Sequence, residues 1–314
     1  MGGLLRQYKW SELVQTCRIS SRPIPLSFEK FDDEVEAECQ KSPVVILHGL
    51  FGQKSNWKLV ANNLHRRLRT AIFTVDLRNH GSDSPWHPTM TYAEMANDVR
   101  YFIDEIVSQQ MGEFSKVHLL GHSMGGKIAM RVALMEDSDV RLKSLIVEDI
   151  APKAYNSATS FSRMIEAMKS LDLACDRSKI EEKLAVTVID KTTRLFLLTN
   201  LKPASQHMYS WRINLNSIGC HIGEICDSSG IVNKAMYSGK CLFVSGGASK
   251  YVIPCDYPLI LKQFPNTQFS VIPDAAHWVH TEKPNEFTDI ITKFILSVEE
   301  PKTEGRFEEI SKNK

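Results

Sequence analysis

A short apolar run at 117–120 leads directly into Gly-His-Ser-Met-Gly at 121–125, and a helical pattern follows at once over 124–135. A serine between two glycines at such a junction is typical of a sharp turn from a buried strand into a helix. The turn strains the serine backbone and lifts the Ser123 hydroxyl clear of the main chain, where the helix dipole favours developing negative charge. The junction therefore predicts that Ser123 is a nucleophile.

Short apolar runs alternate with amphipathic helical patterns over most of the chain. We predict strands at 44–47, 71–75, 117–120, 144–147, 241–244 and 268–272, and helices at 56–68, 91–108, 124–135 and about 285–296. Nearly continuous apolar strands separated by helices are typical of a parallel sheet that is covered on both faces. The sequence therefore predicts an α/β fold with a mostly parallel central sheet.

This alternation is interrupted between residues 151 and 235. The stretch contains helical segments at about 160–171, 177–190 and 192–200 and no strand run of comparable strength. We therefore predict a helical lid, inserted into a sheet domain at 31–298, whose apolar side chains cover the site and line an acyl pocket. Residues 299–314 are short and charged, which is typical of a disordered tail.

Residues 1–30 are basic, contain several serines and are poor in acidic side chains. Four basic residues and a single acid, Glu12, occur in residues 1–28, and the apolar side chains of this segment can share one helical face. This composition is typical of a mitochondrial transit segment, so we predict import into the mitochondrial matrix. The alternative is a disordered N-terminus on a cytoplasmic protein.

The composition excludes several classes of partner. The chain has 38 basic and 37 acidic residues, a formal net charge of +1, and no basic cluster longer than Arg66-Arg67, so we predict no nucleic-acid binding. No apolar run approaches the roughly 18 residues that a transmembrane helix needs. The seven cysteines include no Cys-x-x-Cys, and Cys220-His221 with Cys226 matches no common zinc spacing. We therefore predict neither a metal nor a cofactor.

A nucleophilic serine needs a general base, because its own hydroxyl is hardly ionised at neutral pH. His277 lies in the loop after the last predicted strand, at the edge of the sheet where Ser123 is expected. This position also agrees with the chain order serine, acid, histidine. His280 is the local competitor, but it lies nearer the next helix, where a capping or surface role is expected. We therefore predict that His277 is the base.

Two backbone amides must bind the oxyanion of an acyl-transfer reaction. One is expected from Met124, the residue after the nucleophile. The other is expected from the glycine-containing loop at 48–52, which follows the predicted strand at 44–47. In that loop Leu50, or alternatively Phe51, would donate its N–H group.

Two aspartates are candidates for the acid that orients the base. Asp149 follows the predicted strand at 144–147 and would lie at the tip of the strand beside that of Ser123. Asp256 lies beyond the stretch 245–250, which contains no carboxylate, and would reach back from the start of a helix. Because side chains alternate along a strand, Glu148 should face the opposite side from Asp149. We favour Asp149 and keep Asp256 as the alternative.

Six motifs between residues 43 and 297 resemble those of the α/β-hydrolase superfamily and of a group of small bacterial esterases within it. They are His-Gly-Leu-Phe-Gly at 48–52, Asp-Leu-Arg-Asn-His-Gly at 76–81, Gly-His-Ser-Met-Gly-Gly at 121–126, Asp-Ile-Ala-Pro at 149–152, Gly-Gly-Ala-Ser at 246–249 and Ala-His-Trp at 276–278. In most members the acid follows the penultimate strand, three residues after a glycine, where this chain has Ser249. The resemblance supports Asp149, since the bacterial relatives use an acid at the earlier strand.

The resemblance also implies an activity, a location and a partner. It implies hydrolysis of esters or lipid esters such as diacylglycerols, mitochondrial residence, and association with the 2-oxoglutarate dehydrogenase complex. We therefore predict a serine hydrolase that cleaves a small-molecule ester, acylglycerol or thioester through an acyl-enzyme. The alternative is a catalytically idle hydrolase fold that acts as the binding partner of a mitochondrial enzyme complex.

Overall fold

A seven-stranded sheet forms the centre of the computed structural model, which describes residues 22–32, 41–83, 86–113, 115–135, 141–205, 208–228 and 235–300. Its strands are β1 (Phe28–Phe31), β2 (Val44–Leu47), β3 (Ile72–Val75), β4 (Val117–His122), β5 (Leu142–Glu148), β8 (Lys240–Gly246) and β9 (Thr267–Ile272). Their order across the sheet is β1-β3-β2-β4-β5-β8-β9. All neighbouring strands run parallel except β1, which pairs antiparallel with β3 at one edge.

Helices cover both faces of this sheet, as the sequence predicts. The α-helices are α1 (Lys58–Leu68), α2 (Tyr92–Tyr101), α3 (Ser108–Met111), α4 (Met124–Ala133), α5 (Ala158–Lys169), α6 (Arg177–Ala185), α7 (Lys191–Leu198), α8 (Leu215–Cys226), α9 (Tyr257–Gln263), α10 (Val279–Glu282) and α11 (Pro284–Glu299). Short 3-10 turns precede α1 at Lys54–Trp57 and α9 at Pro254–Asp256, and a π-helical turn at Phe102–Val107 joins α2 to α3.

The strands of the sheet centre are buried on both faces, which explains their continuous apolar sequences. All four residues of β2 are fully buried, and they alternate between two cores. Val45 and Leu47 contact the core shared with α2 and α4, whereas Val44 and Ile46 contact the core shared with α1 and α11. The predicted α/β fold is thus confirmed. Packing against a core on each face fixes the positions of the strands, and with them the positions of the strand ends.

The register of the parallel strands brings four chain segments together at the carboxyl edge of the sheet. Leu47 at the end of β2 is level with Gly121 in β4, and His122 is level with Glu148 in β5. Glu148 is in turn level with Val244 in β8. In open parallel sheets, ligands bind beyond the carboxyl ends of the strands, so the segments that follow β2, β4, β5 and β8 are placed to form a site.

The segment between β5 and β8 contains a feature that the sequence analysis did not predict. Helices α5 to α8 account for most of it, but β6 (Leu201–Ser205) and β7 (Met208–Trp211) form an antiparallel hairpin between α7 and α8. Its strands are short, and Pro203 within β6 weakens the sequence signal for a strand. Helix α8 also lay outside the predicted helical segments.

The two chain ends fall largely outside the described residues. The predicted transit segment corresponds to residues 1–30, of which 1–21 are not described, and most of the predicted tail lies beyond residue 300. In the part of the chain that the structure describes, no helix has both the length and the apolar character needed to cross a membrane.

Candidate active site

Ser123 lies at the turn between β4 and α4 with a backbone conformation that non-glycine residues rarely adopt. Its φ is 51° and its ψ is −117°, which strains a residue that has a Cβ atom. The flanking glycines make this turn feasible. A Cβ atom on Gly121 would lie 2.2 Å from the carbonyl oxygen of Gly125, and one on Gly125 would lie 2.5 Å from that of His48. The predicted strand–turn–helix geometry is therefore present.

The structure brings Ser123, His277 and Asp149 into one line of hydrogen bonds. The Ser123 hydroxyl lies 3.0 Å from Nε2 of His277, and Nδ1 of the same ring lies 2.8 Å from Oδ2 of Asp149. Asp149 follows β5, is fully buried and has a φ of 48°. The ring of Tyr251 stacks on His277 at a centroid distance of 3.8 Å, which restricts the orientation of the imidazole.

Ser249 is a site residue whose role the sequence analysis did not predict. It stands three residues after β8, and its hydroxyl donates to Oδ2 of Asp149 at 2.5 Å. The N–H group of Gly246, the last residue of β8, donates to Oδ1 of the same carboxylate at 3.1 Å. With Nδ1 of His277, these groups give the buried carboxylate three hydrogen-bond donors. The serine at the position where the resemblance led us to expect the acid was the available signal.

Asp256, the alternative acid, interacts with residues other than His277. Its carboxylate forms an ion pair with Nζ of Lys153 at 2.7 Å and accepts from the N–H group of Ile253 at 3.0 Å. The second contact closes the 3-10 turn before α9. Among the contacts of the described residues, Asp256 has none with His277. The geometry therefore favours Asp149 as the partner of the histidine.

His280 is buried, in contrast to the expected capping or surface role. Its ring stacks on Trp57 at 4.0 Å, and both its backbone N–H group and its Nδ1–H group donate to Glu148, at 2.9 and 2.8 Å. Burial lowers the pKa of His280 to about 3 and raises the pKa of Glu148 to about 7. As predicted, Glu148 faces away from Asp149. Glu148 therefore binds His280, whereas the adjacent Asp149 binds His277.

His122, Glu148 and His280 are also the described side chains that could ligate a metal ion. Their donor atoms lie within 4.8 Å of one another, and all three residues are buried. His122 donates from Nε2 to the carbonyl oxygen of His277 at 2.9 Å. Because His122 and His280 already donate within the protein, the present arrangement fixes the loop that carries His277.

The loop after β2 contains both candidate oxyanion donors, the amides of Leu50 and Phe51. The N–H group of Phe51, the alternative donor, is directed to Nε2 of His80 at 3.1 Å, and that of Gly52 donates to the carbonyl oxygen of Gly49. The amide of Met124 lies at the N-terminus of α4, where N–H groups have no acceptor within the helix. Leu50 and Met124, which border one small cavity together with Ser123, therefore remain the candidate amides.

Two buried histidines hold this loop in place. His48 accepts the N–H group of Leu77 at Nε2 and lies 2.7 Å from the carbonyl oxygen of Gly49 through Nδ1. His80 lies against it, at a centroid distance of 5.0 Å. Burial lowers the pKa of His48 to about 4 and that of His80 to about 3. Both rings are therefore neutral near pH 7, when each can accept one N–H group.

Two cavities open beside these residues, and Leu50 borders both. The larger has a volume of about 780 Å³ and lies between the loop 48–57, helix α7 and the segment 276–282, with His277 in its wall. The smaller, of about 40 Å³, is bordered by Ser123 and Met124. The larger volume falls within the usual range of about 300–1,000 Å³ for small-molecule sites.

Comparisons with known proteins agree with this geometry. A family model described as "alpha/beta hydrolase fold" matches residues 42–284. The sn-1-specific diacylglycerol lipase ABHD11 of Danio rerio is 36% identical over 282 residues, which cover 88% of this chain and 84% of the lipase. The Escherichia coli esterase YbfF is 30% identical over 259 residues, 81% of this chain and 93% of the esterase. The solved structure of a marine microorganism esterase superimposes with a TM-score of 0.76 at 34% identity, over 86% of this chain and 99% of that one.

Proposed function

Since the chain belongs to the α/β-hydrolase family and is a serine ester hydrolase, we propose that it cleaves lipid-type carboxylic esters through an acyl-enzyme on Ser123. The observation that carries this proposal is the unbroken hydrogen-bonded line from Asp149 through His277 to the Ser123 hydroxyl. The strained turn exposes the Ser123 hydroxyl for attack, and the N–H groups of Leu50 and Met124 are the proposed donors to the oxyanion.

Each step of the proposed reaction assigns a proton to a named atom. Ser123 Oγ attacks the ester carbonyl carbon while His277 Nε2 takes the hydroxyl proton. Asp149 keeps the other proton on Nδ1 and stabilises the imidazolium, and the N–H groups of Leu50 and Met124 bind the oxyanion. His277 then gives its proton to the departing alkoxide. Water repeats the sequence on the acyl-enzyme and releases the carboxylic acid.

The proposed substrate class rests on the larger cavity and on the relatives. Leu195 and Phe196 from α7, together with Trp278, give this cavity an apolar wall beside His277. Relatives from Danio rerio and other vertebrates carry the name sn-1-specific diacylglycerol lipase. We therefore propose glycerolipid-type esters, diacylglycerols among them, and thioesters of comparable size as the compounds to screen.

Labelling with a fluorophosphonate probe tests this proposal. The purified protein should react with the probe, while the variants Ser123→Ala and His277→Ala should not. p-Nitrophenyl acetate provides a second, smaller substrate that does not require the larger cavity. A folded protein that neither reacts with the probe nor hydrolyses this ester would contradict the proposal, and the idle-fold alternative would take its place.

Mitochondrial import and association with the 2-oxoglutarate dehydrogenase complex stay predictions. Import rests on the basic, acid-poor sequence of residues 1–28. A reporter fused to residues 1–35 should enter mitochondria, and a reporter that stays in the cytosol would contradict the prediction. Co-purification of the tagged full-length chain with the complex is the corresponding test of the partner.

A further inference from the structure

The carboxylate of Glu282 binds the backbone on both sides of His277. Its Oε2 accepts the N–H group of Ala276 at 2.7 Å, and its Oε1 accepts that of Trp278 at 3.3 Å. Hydrogen bonds to a charged acceptor are stronger than those between neutral groups. Because Ala276 and Trp278 are the chain neighbours of His277, a single carboxylate binds the backbone before and after the residue that carries the proposed base.

The segment that Glu282 binds is the part of this loop that leaves the core. Ala275 and Val279 are fully buried, whereas the three residues between them, 276–278, are exposed or only partly buried. Segments with few buried apolar contacts open locally at a low cost in free energy. Packing therefore fixes the two ends of the segment, and hydrogen bonds must fix its middle.

His122 and Glu282 bind different groups of this segment. Nε2 of His122 donates to the carbonyl oxygen of His277 at 2.9 Å, whereas Glu282 accepts N–H groups. The hydrogen bonds of the described residues include no other acceptor for the N–H groups of Ala276 and Trp278. Removing the Glu282 carboxylate would therefore release both N–H groups at once, while the contact with His122 would remain.

The position of this segment decides whether His277 can act as a base. Its Nδ1 lies 2.8 Å from Oδ2 of Asp149 and its Nε2 lies 3.0 Å from Oγ of Ser123, so one rigid ring must meet a partner at each end. If the His277 backbone moves, turning the ring cannot restore both contacts. A displacement of about 1 Å can lower a rate about 10²-fold.

We propose that Glu282 is a positioning residue for the proposed base. By accepting the N–H groups on both sides of His277, Glu282 holds the imidazole in line between Asp149 and Ser123. Although Glu282 also borders the larger cavity, both of its carboxylate oxygens are engaged by the backbone. This inference rests on the proposed ester hydrolysis and adds no covalent step to it, because Glu282 acts through the backbone and exchanges no proton with the substrate.

Two other roles for Glu282 make different predictions. Helix α10 begins directly after Trp278 and ends at Glu282, and a glutamate that reaches back to N–H groups at the start of its own helix caps that helix. If capping were its whole role, a substitution would lower stability without changing the kcat of the folded protein. If the negative charge instead stabilised the imidazolium, a neutral glutamine would be as poor as an alanine.

Steady-state hydrolysis of p-nitrophenyl acetate separates these roles. In Glu282→Ala, kcat should fall about 10–100-fold, and KM should stay close to the wild-type value because acylation and deacylation both use His277. Glu282→Gln should lie between alanine and wild type, because its amide oxygen can accept one of the two N–H groups.

Glu286→Ala is the matched control for these variants. Glu286 is also an exposed glutamate, and it lies in the first turn of α11. Among the contacts of the described residues it has none with residues 276–278. Its removal should affect stability through the helix dipole alone, so kcat should stay at the wild-type value.

The His277→Ala background provides a second readout. The oxyanion donors and substrate binding should sustain a residual rate in this variant. Without an imidazole there is nothing for Glu282 to position, so Glu282→Ala should not lower that residual rate further. Groups that act as a unit show such non-additive losses. A general disturbance of the site would lower the rate equally in both backgrounds.

The outcomes separate this inference from the proposed function. A folded Glu282→Ala with the wild-type kcat overturns the inference, as does an equal loss in the His277→Ala background. A Glu282→Gln variant as slow as Glu282→Ala overturns it in favour of the charge. Should Glu282→Ala not fold, Glu282→Gln decides, because a wild-type kcat in that variant also overturns the inference. The proposed function itself fails only if the wild-type protein neither reacts with the fluorophosphonate probe nor hydrolyses the ester.

Discussion

Replacing Asp149 by asparagine changes a single atom of a fully buried side chain, yet it reverses the direction of a hydrogen bond. Oδ1 of Asp149 accepts the N–H group of Gly246, and Oδ2 accepts from Nδ1 of His277 and from the Ser249 hydroxyl. The single oxygen of an asparagine would remain opposite Gly246, because that backbone donor needs an acceptor. Its amide group would then face His277, so Nδ1 would become the acceptor.

The consequence is the wrong tautomer at the reacting end of the imidazole. With its proton on Nε2, His277 would direct an N–H group at Ser123 Oγ and could not accept the serine proton. A tautomer change of this kind lowers kcat on the order of 10⁴-fold. This factor corresponds to about 5.4 kcal/mol in activation free energy. The fold should persist, since the two side chains have nearly the same volume and Ser249 can donate or accept.

Steady-state hydrolysis of p-nitrophenyl acetate measures the effect, with urea unfolding to verify the fold of each variant. Asp256→Asn is the control, because it removes the ion pair with Lys153 and has no contact with His277. That variant should keep kcat within a few-fold of wild type. Retention of more than a tenth of kcat by folded Asp149→Asn would refute the reasoning. Loss of turnover in Asp256→Asn alone would transfer the acid role to Asp256.

Two further predictions concern the loop that carries the base and the stability of the fold. In Gly246→Ala the new Cβ atom would lie 2.3 Å from the carbonyl oxygens of Ala275 and Ala276, so the loop before His277 must shift and kcat should fall about 10²-fold. The control Gly223→Ala should have the kcat of the wild type, because nothing lies within 4 Å of its new Cβ atom. Equal kcat values for the two variants would contradict this prediction. The urea midpoint of unfolding should be lower at pH 5 than at pH 7. The reason is that burial lowers the pKa values of four histidines from about 6.5 in the unfolded chain to about 3 or 4 in the folded protein; these are His48, His80, His122 and His280. Their contribution is complete above pH 6.5 and is lost as the pH falls towards 4, whereas the raised pKa of Glu148, about 7, acts in the opposite sense between pH 4.5 and 7. Four groups outweigh one, so an unchanged or higher midpoint at pH 5 would refute the prediction.

Local sequence signals predicted most of the sheet and the strand–turn–helix junction at Ser123. Five of the six predicted strands are apolar runs buried on both faces, whereas β9 at the sheet edge is only partly buried. The Ser123 turn is specified by residues that adjoin it in the chain. The hairpin of β6 and β7 was missed because its strands are short and only partly buried. The partners of His280 and Ser249 were missed for another reason. Each contact joins residues about 100 or more positions apart, so it depends on the register of the assembled sheet.

The choice between Asp149 and Asp256 shows the same limit. Both residues follow a predicted strand, and either could have reached the histidine. The two aspartates differ in their neighbours. Asp256 forms an ion pair with Lys153, whereas Asp149 accepts a hydrogen bond from the backbone N–H group of Gly246. Neither neighbour is visible from spacing along the chain. The resemblance to hydrolases with an earlier acid supplied the information that the local pattern lacked.

The proposed acid lies directly after β5, so the proposed nucleophile and acid both precede the insertion in the chain. Ser123 and Asp149 both precede residue 151, so one contiguous stretch, from β4 through α4 to the residue after β5, carries the proposed nucleophile and the proposed acid. With an acid after β8, the helices α5 to α8 would interrupt that stretch. The insertion can therefore be exchanged for one of another length or shape without altering the chain that connects nucleophile to acid. For protein engineering, this makes the 151–235 segment a module for recruiting new substrates onto an existing reaction centre.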